Sequence, residues 1–242
     1  MVDTMLANAW TFTQKELRSY FNSPVAYVIL ALFLLIAGWF FAAGLFLVGQ
    51  ADMRDLVGTV IPLAFLFFVP AISMRLIAEE KKSGTLELIV TMPVRDVEIV
   101  LGKYLAALGL LAAALLLTFA YPLTLSLLGD PDGGATFGAY LGLLLLGGSY
   151  LAIGVFTSSL TQNQIVAFIT GFVLIFFLFM LDKVLLFFPG PIASIIEYLS
   201  VLYHFENMAR GVIDTRDLVY FASLIVVFLY LAVRSLEARK WR

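Results

Sequence analysis

The run PVAYVILALFLLIAGWFFAAGLFLV, residues 24–48, contains no Asp, Glu, Lys or Arg. An α-helix needs about 20 consecutive apolar residues to cross the roughly 30 Å hydrocarbon core of a bilayer. This run is long enough, and its flank at Gln14–Tyr20 is typical of a helix rather than of the short basic leader of a signal peptide. The run therefore predicts a transmembrane helix.

The composition extends this prediction to the whole chain. Apolar residues make up 62% of the 242 residues and charged residues only 13%. Soluble globular proteins have roughly 45–50% apolar and about 25% charged residues. A water-soluble fold of this size could not bury so much apolar surface, so we expect lipid to be the solvent.

Five further runs lack charged side chains: Val57–Met74, Tyr104–Leu128, Phe137–Leu160, Ile165–Leu181 and Leu218–Val233. With their flanking residues, we predict six spans at 24–48, 57–77, 104–128, 137–160, 165–187 and 217–235. The predicted fold class is an all-α membrane protein, with residues 1–242 as a single domain.

The loops predict the orientation, because Lys and Arg concentrate in cytoplasmic loops. Six spans place both termini on one side. That side holds eleven of the 15 basic residues: Lys15, Arg18, Arg75, Lys81, Lys82, Arg95, Lys103, Arg234, Arg239, Lys240 and Arg242. The other side holds Arg54, Lys183, Arg210 and Arg216. Both termini are therefore predicted to be cytoplasmic.

Three segments outside the spans carry information. Residues 5–22 place mostly apolar side chains near one helical face, at Leu6, Ala9, Trp10, Thr13, Leu17 and Phe21. Such a helix can lie in the membrane interface. It is either a simple anchor before the first span or a helix with a coupling role.

The longest predicted cytoplasmic loop runs from Arg75 to Lys103 and contains a coupling region at 78–98. Four charged residues at 79–82 precede an apolar helical face at Leu86, Ile89 and Val90. Pro93 should end this helix, since the residue before proline is disfavoured in the α region. An amphipathic helix held between two spans is suited to transmit force; the alternative is a solvated loop.

The segment 189–216 lies between the fifth and sixth spans. Pro189-Gly190-Pro191 breaks the chain, and apolar residues then recur at helical spacing, interrupted by charged ones. The segment is too polar to span a membrane. We predict one or two short re-entrant or interfacial helices there.

Several kinds of chemistry are excluded. The chain has no Cys, which removes disulfides, thiolate metal sites and cysteine catalysis. Gly102-Lys103 lacks the other residues of a phosphate-binding loop. A single histidine, His204, rules out a His-based metal cluster, and a net charge of −2 provides no basic field for nucleic acid. We therefore predict no catalytic residues, metal or cofactor in this chain.

The coupling region also carries a family resemblance. Ala78-Glu79-Glu80-Lys81-Lys82-Ser83-Gly84-Thr85-Leu86-Glu87-Leu88, followed by Met92-Pro93 and Leu101-Gly102-Lys103, resembles the signature of ABC-2 type (type V) exporter permeases. The resemblance covers essentially the whole chain. A narrower resemblance, to gliding-motility-associated permeases, rests on Ser19–Pro24, Thr161–Phe168, Tyr203–Glu206 and Arg210–Asp217.

This resemblance implies which membrane and which partner proteins surround the chain. It implies a bacterial cytoplasmic membrane and two copies of a separate ABC ATPase subunit, which bind the ATP and Mg. It also implies a second copy of this permease or a related one. An accessory subunit in the periplasm or membrane would be a further partner.

The resemblance also assigns roles to residues. Residues 5–22 become a connecting helix, with Lys15, Glu16 and Arg18 as its site residues. The loop after the second span becomes a coupling helix that docks on the ATPase through Glu79, Glu80, Ser83, Gly84, Thr85, Leu86, Glu87 and Ile89. Leu86 and Ile89 would make the apolar contact. We expect Lys15 or Arg18 to pair with Glu79 or Glu80.

In such exporters the translocation path follows a dimer interface lined by the first, second and fifth spans. Aromatic candidates for the path or interface are Phe40, Phe41, Phe65, Phe67, Phe68, Phe172, Phe176 and Phe177. An apolar path would suit a lipid-linked or amphipathic substrate; alternatively, these rings face lipid.

Other functions remain open at this stage. A mechanotransmitting subunit that acts on envelope proteins without translocation would have the same sequence features. A stand-alone channel or secondary carrier is disfavoured, because the spans offer no ionisable group near the midplane. An intramembrane enzyme is disfavoured because the spans contain no paired catalytic groups.

Overall fold

The structure is a computed structural model that describes residues 2–48, 53–86, 94–128, 132–184 and 191–238. Within these ranges the chain is helical and contains no β-strand. Among the described residues, six helical segments are long and apolar enough to cross a membrane: Pro24–Leu47, Leu56–Ser83, Asp96–Leu128, Gly133–Leu160, Gln164–Val184 and Thr215–Glu237. The predicted fold class, an all-α protein with six spans, is confirmed.

The α-helices of the described ranges are named in chain order. They are α1 Val2–Asn22, α2 Pro24–Ala43, α3 Ile61–Ser73, α4 Ala78–Ser83, α5 Asp96–Thr118, α6 Ala120–Leu128, α7 Gly133–Leu160, α8 Gln164–Val184, α9 Pro191–Leu199, α10 Val201–Ala209 and α11 Thr215–Glu237. One turn of π-helix extends α2 at Gly44–Val48, and another precedes α3 at Leu56–Val60.

A short break separates α1 from the first span. Ser23 has an extended backbone, and its hydroxyl accepts a hydrogen bond from the backbone N–H of Val25 at 3.3 Å. Pro24 follows at the first turn of α2, where its missing N–H costs nothing. The N-terminal helix is therefore a separate element, able to pack in its own direction.

The fourth span is the centre of the bundle. In its most apolar stretch 72% of the residues are buried, against 17% in the first span and 22% in the fifth and sixth. Glycines let its neighbours approach closely: a Cβ on Gly154 would lie 1.9 Å from the Oγ of Ser73, and one on Gly138 would lie 2.6 Å from the carbonyl oxygen of Met208. The first, fifth and sixth spans leave broad apolar faces uncovered within a single chain.

The non-spanning segments fold as follows. Residues 191–209 form two short helices, α9 and α10, after the fifth span. The charged stretch after the predicted second span at 57–77 forms α4, the last part of the segment Leu56–Ser83, and α4 ends at Gly84 with a φ of 72°, a conformation that favours glycine. Glu87, Ile89 and the remainder of the predicted amphipathic helix, up to Met92, lie outside the described residues.

Candidate functional site: an ion-pair cluster joining three helices

The N-terminal helix α1 docks on the beginning of α5 through a contact that requires glycine. A Cβ on Gly102 would lie 2.4 Å from the Cβ of Phe12 and 2.9 Å from the carbonyl oxygen of Ala9. The hydroxyl of Thr13 donates to the carbonyl oxygens of Ala9 and Gly102, at 2.9 and 3.2 Å. The backbones of the two helices are therefore almost in contact.

A second polar contact fixes the register of this docking. The carboxylate of Glu98, in the first turn of α5, accepts from the backbone N–H of Arg95 at 3.3 Å. The same oxygen accepts from the side-chain amide of Asn8 at 3.0 Å. Glu98 thus caps its own helix and holds α1 at the same time.

Lys103 lies at the centre of the site. Its Nζ is 2.8 Å from Oε1 of Glu16 on α1 and 2.8 Å from Oε1 of Glu80 on α4. The lysine side chain is only 1% exposed. One buried ammonium group therefore joins α1, α4 and α5, and we call Glu16, Glu80 and Lys103 the lysine cluster.

The cluster carries more negative than positive charge. Two carboxylates share one ammonium group, and the buried Oε2 of Glu80 has no hydrogen-bond partner among the described residues. The cluster borders a cavity of about 230 Å³ that is also lined by Tyr20 and Arg75. Separating a buried charge from its partner is costly, so α1, α4 and α5 are expected to move together.

Tyr20 adds a link from α1 to the second span. Its hydroxyl donates to the carbonyl oxygen of Ile72 at 3.1 Å. Burial, assisted by the nearby carboxylate of Glu16, raises the pKa of the Tyr20 phenol. The phenol therefore keeps its proton and remains a donor.

The other side of α4 is tied to the fourth span. Ser158 Oγ accepts from the backbone N–H groups of Ile77 and Ala78, at 3.1 and 3.0 Å, and donates to the carbonyl oxygen of Met74 at 2.9 Å. Lys81 Nζ donates to the carbonyl oxygen of Ser159. A single hydroxyl group therefore satisfies three backbone groups of the turn that precedes α4 and ties this turn to the fourth span.

Several predicted site residues have partners other than those expected. Glu79 pairs with Arg75 at 3.0 Å, and Glu80 pairs with Lys103. The structure corrects the predicted pairing of Lys15 or Arg18 with these carboxylates. Lys15 and Arg18 lie exposed on α1, and only their neighbour Glu16 belongs to the cluster.

The end of α4 presents a small exposed corner. Ser83, Gly84 and Thr85 are exposed, and the hydroxyls of Ser83 and Thr85 lie 2.9 Å apart. Leu86 is 1% exposed and belongs to the core of the chain. Its predicted role as an apolar contact for a partner does not fit this burial.

The aromatic candidates separate into two groups. Phe65 is fully buried and stacks on Phe33 at 6.0 Å, so in this structure it belongs to the core of a single chain. Phe68 contacts Phe33, and Phe41 stacks on Tyr121 at 4.8 Å.

The second group lies on an outer face of the bundle. Phe67 is 54% exposed and lies 5.1 Å from Phe172, which stacks on Phe176 at 5.7 Å. Phe40 and Phe177 are also exposed. The second and fifth spans therefore share a row of aromatic rings on their surface.

Lys103 and Ser158 were not predicted as site residues. Lys103 had a signal in the sequence, because it is the last charged residue before the long uncharged run of the third span. Ser158 had none, since a serine near the end of a span is usually satisfied by its own helix. Both act through partners far away in sequence.

The fold and the cluster define a class: a multi-pass membrane protein in which an N-terminal helix and a short helix after the second span are joined by buried charges. The sequence model of the ABC-2 family transporter proteins matches residues 7–235, and the chain belongs to this family. The predicted family is confirmed.

One curated relative is similar over a large part of the chain. It is a protein of Pseudomonas aeruginosa named probable ABC transporter permease protein NosY, which is 32% identical over 170 residues. The similarity covers 64% of this chain and 61% of that relative's length.

Proposed function

We propose that this chain is the membrane permease subunit of an ABC exporter. A separate ATPase subunit binds and hydrolyses ATP with Mg, and this chain converts the resulting movement into transport of a substrate across the bacterial cytoplasmic membrane. The ABC-2 family membership, the six apolar helices and the name of the P. aeruginosa relative support this proposal.

The lysine cluster is the observation that carries the mechanism. The segment between the second span and α5 is the part of the chain that would receive force from the ATPase. Lys103 joins α4, which begins this segment, to α1 and to the start of the third span. A push on α4 therefore reaches two other helices through one buried ammonium group.

We infer that the ATPase docks beside this cluster. The exposed corner at Ser83, Gly84 and Thr85 is the described part of the docking surface, and Glu87 and Ile89 would extend it. Lys15 and Arg18 are exposed on α1, where they are available to acidic groups of the same partner. In this proposal the docking surface lies on the cytoplasmic side of the membrane, together with both termini.

We further propose that two permease chains pair in the membrane, as a homodimer or with a related permease. The exposed aromatic row of the second and fifth spans and the uncovered first span supply an apolar surface for this pairing. A lipid-linked or amphipathic substrate would fit such a surface. The narrower resemblance to gliding-motility-associated permeases stays a prediction.

Docking is tested by an exposed substitution with a matched control. The variant Thr85→Trp puts a large ring on the exposed corner, and Thr124→Trp puts the same ring on an exposed position of α6, far from the cluster in sequence. After affinity purification from native membranes, the wild type and Thr124→Trp should recover an ABC ATPase. Thr85→Trp should recover at least several-fold less.

Two outcomes would contradict the proposed function. One is the absence of any ATPase in the wild-type preparation. The other is equal recovery of the ATPase by the two tryptophan variants, which would place docking elsewhere.

A further inference from the structure

The short helix α10 carries the only histidine of the chain in a buried ion pair. His204 Nδ1 lies 2.6 Å from Oδ1 of Asp217, which is in the first turn of the sixth span. Each of the two residues is 2% exposed. The pair therefore connects an outer helix to a span away from water.

The partners of the ring fix the number of protons that the pair holds. His204 Nε2 lies 3.1 Å from the carbonyl oxygen of Tyr198, and a carbonyl oxygen only accepts hydrogen bonds, so Nε2 must carry a proton. A second proton must lie between Nδ1 and Asp217, because two lone pairs would otherwise face each other at 2.6 Å. The pair is therefore neutral as a unit.

The remaining contacts complete the site. Oδ2 of Asp217 accepts from the side-chain amide of Asn207 at 3.3 Å. The ring of Tyr220 stacks on His204 at 4.0 Å, and its hydroxyl donates to the carbonyl oxygen of Leu199 at 2.6 Å. Both ring nitrogens and both carboxylate oxygens thus have partners, and these partners come from α9, α10 and α11.

The opposite side of the same short helix lines a cleft. Glu206, Ala209 and Arg210 form one wall of a cavity of about 780 Å³. Its other walls come from Arg54 just before the second span, from Thr59 in the first turn of that span and from Thr136 at the start of α7. Phe205 and Met208 on the same helix pack against Gly142 of α7, so the fourth span holds the end of α10 and this wall of the cleft in place.

We propose that His204 and Asp217 form a latch that holds α9 and the start of α10 on the sixth span and thereby fixes this end of the cleft wall. Breaking the latch frees α9 and the start of α10 from the sixth span, while Phe205 and Met208 keep the end of α10 on α7. The latch shares no residue with the lysine cluster. This part of the segment between the fifth and sixth spans can therefore open by itself.

A cysteine-labelling experiment tests the latch, because the chain has no cysteine of its own. Val201→Cys places a thiol at a fully buried position at the start of α10, and Thr157→Cys places one at a buried position of α7. The rate of maleimide labelling in purified protein reports how often each site opens. Each reporter is combined with Asp217→Asn, which keeps the shape of the side chain but removes its charge.

The latch predicts that Asp217→Asn speeds labelling at position 201 by roughly tenfold or more and leaves position 157 unchanged. Glu206→Gln is the matched control, because it breaks an exposed ion pair with Arg210 on the same helix and should change neither rate. An unchanged rate at position 201 would overturn the proposal. An equal rise at both positions would also overturn it, because it would mean general unfolding.

A second measurement uses the wild-type protein. Since His204 is the only histidine, nitrogen NMR of histidine-labelled protein observes this ring alone. The latch requires a proton on Nε2 and a hydrogen-bonded Nδ1. A ring with a bare Nε2 would overturn the proposal.

Discussion

At the scale of single residues, the central feature is Lys103, a charged side chain that is almost completely buried. A lysine that is 1% exposed is tolerated because two carboxylates lie at 2.8 Å. Lys15 and Arg18 are also cations, and they lie on α1, which contributes Glu16 to the cluster. Both are exposed, however, and the carboxylate of Glu80 pairs with Lys103 instead. The sequence predicts that Glu80 pairs with a basic side chain. Which basic side chain does so depends on which one faces the interior of the fold.

Lys103→Met keeps much of the side-chain volume and removes the charge. It leaves Glu16 and Glu80 facing each other without a cation, so we expect the chain to be destabilised by about 3–5 kcal/mol. The measurement is thermal unfolding of the purified protein. The control is Arg234→Ala, which breaks an exposed pair with Glu237 and should cost about 1 kcal/mol or less. Equal losses in the two variants would contradict the role of the cluster.

At the scale of elements, the sequence predicts the spans well and their connections less well. The spans follow from the absence of charge, since lipid excludes unpaired charged groups. The turn before α4 could not be predicted, because its N–H groups are satisfied by Ser158, about eighty residues further along the chain. The family resemblance assigns Leu86 to a partner surface, but a resemblance to a loop does not say which of its apolar side chains the chain itself buries.

Ser158→Ala tests how α4 is held. The variant leaves the N–H groups of Ile77 and Ala78 without their acceptor, which should cost about 1–3 kcal/mol. Hydrogen exchange should become faster at residues 77–81 while the interior of α7 stays protected. Ser126→Ala removes an exposed hydroxyl that bonds only within its own helix and should leave these rates unchanged. Slow exchange at residues 77–81 in Ser158→Ala would show that another contact holds α4.

At the scale of the whole molecule, a buried central span is surrounded by helices that leave apolar faces open. Among the described residues, the lysine cluster joins α1, α4 and α5, and the His204 latch joins α10 to the start of the sixth span. In the proposed mechanism, force from a partner would act on the lysine cluster. The His204 latch would hold the helices that precede the sixth span. The ABC-2 family membership fits the proposed division, in which a separate ATPase supplies the energy.

The most direct test of this account measures ATP hydrolysis by the assembled complex. Glu80→Gln removes one link of the lysine cluster while Lys103 keeps Glu16, and Glu237→Gln is a control in an exposed pair. We predict that both variants bind the ATPase as the wild type does, and that Glu80→Gln alone lowers hydrolysis several-fold. Normal hydrolysis in Glu80→Gln, at normal assembly, would contradict transmission through the cluster.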